Sequence, residues 1–218
     1  MPITQEQIYR FSRQPFPQAV ILEGVTFPGI KKGNEALVKR VDDRAFKWYA
    51  KLSGSPIDKL HAYADGVNRD EYLLRTLGLG PDQLPDSHFF IGSHEDGNPE
   101  LFAIQPWVNG RLLKEVSLWE ILNNRPLSES LANLFLIANE FNKITGRFPD
   151  LKGSEKFWGI SDPTKIVWPF RSTNIIVTEN QAILTDARAL NPKPGSLKYG
   201  ASKIHQSIAT FTARQILV

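Results

Sequence analysis

The 218-residue chain has no cysteine, which excludes a disulfide framework and any thiolate metal centre. Its apolar runs fall far short of the roughly 20 residues a membrane span needs. The opening stretch MPITQEQIYRFSRQPFP has no apolar core of the secretory type. His61, His88, His94 and His205 share no metal-ligand spacing with one another or with a carboxylate on one helix face. There is no G-x-S-x-G elbow, no Walker phosphate loop and no H-E-x-x-H. Hydrolase and zinc chemistry therefore have nothing to rest on, and the expectation is a soluble cytoplasmic protein with no membrane segment.

What is present is an ordinary globular balance, 41% hydrophobic and 22% charged, enough for one domain or two small lobes. The net charge of +3 is compatible with a phosphate ligand and does not single out nucleic acid.

Along the chain, a short helical pattern (Ile3, Ile8, Phe11) stops at Pro15 and Pro17. Three strands are then expected at 19–25, 35–41 and 44–52, with the loop 27–34 between the first two. Residues 55–78 read as a helix weakened at Gly66 and restarted by Asn68-Arg69-Asp70-Glu71. Two more strands, 88–91 and 100–106, flank a polar turn. Ser117-x-x-Glu120 is a capping box before a short helix, and residues 128–145 carry the strongest helical periodicity, ended by Gly146. A further helix is expected over 201–217.

The most informative stretch runs from Val167 to Leu190. Asn174-Ile175-Ile176-Val177 and Ala182-Ile183-Leu184-Thr185 read as two strands joined by the polar loop 178–181. Asn174 opens this hairpin and Asp186 follows it. An amide oxygen beside a carboxylate suits Mg²⁺, with phosphate oxygens completing the shell; both residues also suit ordinary turn chemistry.

This order of elements resembles the protein-kinase-like fold, which includes aminoglycoside and choline phosphotransferases. In that fold an Asp, four residues and an Asn precede a hairpin that ends in the Asp of a DFG-type triplet. The resemblance implies an α+β, two-lobed molecule. Its N-lobe, 1–106, would be a five-stranded antiparallel sheet with one helix. Its C-lobe, 107–218, would be reduced and mainly helical, with the hairpin at 174–185. ATP and Mg²⁺ are the implied cofactors.

By the same resemblance, Asn174 and Asp186 hold the metal, and Arg171 lies where a phosphate-reaching Lys often stands. Lys47, in Ala45-Phe46-Lys47, contacts the nucleotide phosphates, and Glu71 holds that Lys. Gln105, Trp107 and Val108, in Gln105-Pro106-Trp107-Val108-Asn109-Gly110, form the adenine-binding hinge. Without the resemblance, Lys47 reads as a solvated strand lysine, Glu71 as half of a capping-box pair with Asn68, and Trp107 as core.

One position departs from the pattern. The catalytic Asp should lie five residues before Asn174, where the chain has Pro169, with Val167 in place of the usual His or Tyr. The expected function is accordingly a pseudokinase that binds a nucleotide or a protein partner. The alternatives are a divergent small-molecule phosphotransferase using Asp150, Glu155 or Asp162 as base, or a non-enzymatic interaction module.

Overall fold

The computed structural model describes residues 37–41, 43–93, 98–151 and 172–190. The expected strand at 19–25, the loop at 27–34, the terminal helices, Glu155, Asp162, Pro169 and Arg171 lie outside the described residues. Within them the chain is mixed α and β, with three α-helices and three small antiparallel sheets. No helix among them is long and apolar enough to cross a membrane. Residues 1–69 with 86–108 form one compact unit, and 70–85 with 109–218 form a second.

The first unit is built on β1 (Leu37–Val41), β2 (Arg44–Trp48), β3 (His88–Ser93) and β4 (Pro99–Pro106), in the order β1-β2-β4-β3. The register sets Phe46 opposite Ile104, and Trp48 and Phe90 on either side of Phe102. Because side chains alternate along a strand, these residues share one face, where they pack as an aromatic cluster. Phe90 and Phe102 stack with centroids 5.4 Å apart. β2 ends four residues earlier than its apolar pattern suggested. Ala50–Leu52 forms a 3-10 turn instead, followed by Gly54 at φ +67°, a left-handed position that favours glycine.

Helix α1 (Ile57–Thr76) is continuous, so the break expected at Gly66 does not occur. A mid-helix glycine costs about 1 kcal/mol relative to alanine, and the burial of Leu60, Ala64, Val67, Leu73 and Leu74 outweighs it. Asn68 and Glu71 both lie inside the helix, so their capping-box reading is also overturned. Tyr72, expected as an apolar contact, is exposed.

In the second unit, α2 (Leu118–Asn123) starts at the Ser117–Glu120 capping box. α3 (Arg125–Thr145) begins three residues before its expected start, because the Asn124 side chain accepts the Leu127 N–H at 3.2 Å and Pro126 occupies the first turn. It ends at Gly146, φ +68°. Leu131, Leu134, Phe135, Ala138 and Phe141 are buried along its length, whereas Ile144 is largely exposed.

Among the described residues this unit also has five short strands: β5 (Arg111–Leu112), β6 (Phe148–Pro149), β7 (Ile175–Val177), β8 (Ala182–Leu184) and β9 (Ala189–Leu190). They form the sheets β5-β7-β8 and β6-β9. β7 and β8 are the expected hairpin, in the register Ile175↔Leu184. A Cβ at Gly110 would lie 2.4 Å from the Val177 carbonyl oxygen, so the approach of β5 to β7 demands glycine there.

Candidate functional site

In the first unit, Lys47 and Gln105 lie on the sheet face opposite the aromatic cluster. Ala45 pairs with Gln105 and Lys47 with Ala103, so these four residues share that face, and all four are buried. The solvated reading of Lys47 is therefore wrong: it is 8% exposed, beside two alanines that leave room over the backbone. The Ser87 hydroxyl donates to Gln105 Oε1 at 3.5 Å.

The hinge segment is anchored at Trp107. Its N–H donates to the Asp43 carbonyl at 2.8 Å, and the Arg40 guanidinium lies 5.3 Å from the centroid of its ring. Pro106 has no N–H and Trp107's is committed to Asp43. The next backbone N–H along the segment is that of Val108.

In the second unit, Asn174 and Asp186 come to the same open end of the β7–β8 hairpin. Thr185 donates to the Asn174 carbonyl from both its N–H (2.8 Å) and its hydroxyl (3.1 Å), and Asp186 is the next residue. Asp186 Oδ1 accepts the Arg188 N–H at 3.1 Å. The Asn174 side chain donates from Nδ2 to the Asp150 backbone carbonyl at 2.7 Å.

Asp150 is the residue that spacing alone could not select. It follows β6, is 7% exposed, and donates its N–H to the Arg188 carbonyl at 2.8 Å. Ser172 reinforces the junction. Its hydroxyl donates to the Leu151 carbonyl and accepts the N–H groups of Asn174 (3.1 Å) and Ile175 (3.0 Å). Hydrogen bonds thus link the Asp150 backbone, the Asn174 side chain and the segment 185–188 that carries Asp186.

Asp150 stands four residues past the helix terminator Gly146, and the stretch 151–173 separates it from Asn174, so no spacing rule links the two.

Glu71 is buried on α1 in the second unit, and its Oε1 accepts from Arg75 Nη2 at 3.1 Å. The hairpin itself is held from behind by polar groups that sequence reasoning missed. Gln83 donates to the Ser130 hydroxyl at 2.9 Å and accepts from Asn133 at 2.7 Å. The Gln83 carbonyl receives the Leu184 N–H, and the Ser130 hydroxyl receives the Ala182 N–H.

Among the described residues no three His, Cys, Asp or Glu side chains cluster as a metal site. An all-carboxylate cage is therefore absent there. Asn174 and Asp186 carry an amide oxygen and a carboxylate, hard donors of the kind Mg²⁺ takes beside waters and substrate phosphates. No protein-family model matches the chain, and no curated protein matches it.

Proposed function

We propose that the chain is a kinase-like phosphotransferase that binds ATP with Mg²⁺ and acts on a small molecule, with Asp150 as the proton acceptor that Pro169 cannot be. The observation that carries this reading is the 2.7 Å bond from the Asn174 amide to the Asp150 carbonyl. It joins the Asp150 backbone to the Asn174 side chain across the stretch 151–173. The pseudokinase expectation rests on Pro169 standing where the catalytic Asp should lie.

In this reading Asn174 and Asp186 hold Mg²⁺, which would neutralise charge on the nucleotide phosphates. The γ-phosphoryl group moves from ATP to an acceptor hydroxyl, Asp150 takes the hydroxyl proton, and ADP leaves. Positioning and charge neutralisation supply most of the rate in this chemistry.

The test has two arms. Thermal melting with ATP should show a stabilisation that needs Mg²⁺ and is lost in Asp186→Ala; ligand at about 100 times its Kd adds roughly 2.7 kcal/mol. Phosphate release or label transfer should then fall at least about 100-fold in Asp150→Asn, the usual contribution of a positioned base. A Mg-dependent shift without turnover returns the pseudokinase reading. No shift at all leaves a protein-interaction module.

A further inference from the structure

Asp70 is among the most buried charged residues described, at 2% exposure, and the nucleotide chemistry above does not use it. It neighbours Glu71 on α1, and its carboxylate is fully engaged. Arg147 donates to it twice, from Nη1 to Oδ2 at 3.1 Å and from Nη2 to Oδ1. The Ala189 N–H donates to Oδ2 at 2.9 Å. Arg147 also lies against the Phe141 ring, its guanidinium 5.6 Å from the centroid.

The placement of these donors is informative. Arg147 immediately precedes β6, and Asp150 immediately follows it. Ala189 opens β9, and Asp186 lies just before that strand. β6 and β9 pair through only two residues each, Phe148↔Leu190 and Pro149↔Ala189. A ribbon of that length does not fix its own register, because isolated strand pairs are marginal even when longer. The carboxylate of Asp70 thus holds the residue before β6 and the first residue of β9 together.

We propose that Asp70 is a positioning residue that sets Asp150 and Asp186 at their working separation, by clamping Arg147 and Ala189 from helix α1. The proposal rests on the reading of those two acids as base and metal ligand. Asparagine at this position keeps the shape, loses the charge, and offers one acceptor oxygen where the carboxylate offers two. The β6–β9 ribbon is then free to shift while the β7–β8 hairpin, held by Gln83 and Ser130, stays in place.

Hydrogen exchange on the full-length chain tests this directly. In Asp70→Asn the amides of Asp150 and Ala189 should exchange about tenfold faster, the loss of roughly one hydrogen bond's net contribution, while those of Ala182 and Leu184 keep their wild-type rates. The Mg²⁺ concentration that half-saturates ATP binding should rise by a similar factor, with ATP affinity in the absence of Mg²⁺ unchanged. Equal acceleration at all four amides would reduce Asp70 to a general structural residue and overturn the proposal, as would no acceleration at all.

Should Asp70→Asn fail to fold, Arg147→Lys keeps the charge and loses the two-pronged geometry. It should speed the same two amides by a smaller factor, and uniform acceleration would again overturn the proposal. A wild-type chain that binds no ATP removes the phosphotransferase reading, while the exchange pattern still decides the clamp.

Discussion

The four-stranded sheet of the first unit and the acid-bearing ribbons of the second are both antiparallel, yet different forces hold them. The sheet has strands of five to eight residues with one aromatic face, so backbone ladders and apolar burial do most of the work. The ribbons have strands of two or three residues and depend on side chains that reach across: Ser172 to Leu151, Asn174 to Asp150, Asp70 to Arg147 and Ala189. A site that must place three polar groups gains from the second arrangement, since each polar contact fixes direction as well as distance.

The sharpest way to break this contrast is to attack each region by its own dominant force. Phe102→Ala removes the ring that both Trp48 and Phe90 face across the sheet, and should cost about 3–5 kcal/mol in chemical denaturation. A loss below about 1 kcal/mol would mean the aromatic face is not what stabilises the first unit.

Gly110→Ala should come next. Its new methyl meets backbone atoms of Val177, which cannot swing aside as a flexible side chain would. Overpacking of this kind costs about 1–3 kcal/mol, and the fixed carbonyl argues for the upper end. The amides of β7 should lose exchange protection first. Protection lost instead at β1 and β2 would contradict the assignment of Gly110 to the second unit's sheet.

Ser172→Ala sharpens the other side of the comparison. It removes a buried hydroxyl that serves one carbonyl and two N–H groups, so those groups are left unsatisfied at a cost of about 1–3 kcal/mol. Its effect on function should exceed its effect on stability. Mg-dependent ATP stabilisation should weaken beyond what the lower melting temperature explains, because Asn174 loses its fixed orientation. An unchanged Mg²⁺ dependence would show that Asn174 is oriented without Ser172.

The same contrast explains what the sequence could and could not reveal. Strands β1 to β4, helix α3 and the β7–β8 hairpin have enough residues for apolar periodicity to show, and their positions were legible within a few residues. The continuity of α1 through Gly66 was not, because tertiary burial on both sides of the glycine decides it. Strands β5, β6 and β9 are too short to carry any period. The candidate site was half legible. Asn174 and Asp186 follow from the hairpin between them. Asp150 joins them only through a bond across a long stretch of chain, and Ser172 and Asp70 act through polar contacts that no spacing rule announces.

The smallest effect should come from the exposed capping box of α2. Arg111 donates to the Glu120 carboxylate at 2.5 Å, and Ser117 donates to it from its N–H at 3.3 Å and its hydroxyl at 3.0 Å. The Arg111 hydrogen bond, followed by those from Ser117, holds the Glu120 carboxyl below the ordinary glutamate pKa. A carboxyl whose pKa is lower in the folded state than in the unfolded chain stabilises the fold fully above its unfolded value. That contribution fades as pH falls through the depressed folded value. Wild type should therefore melt slightly above Glu120→Gln at neutral pH, and the gap should close in acid. Because the group is exposed, added salt should narrow the gap at neutral pH as well. A gap that widened on acidification would mean that protonated Glu120, rather than its carboxylate, is the form this helix start prefers.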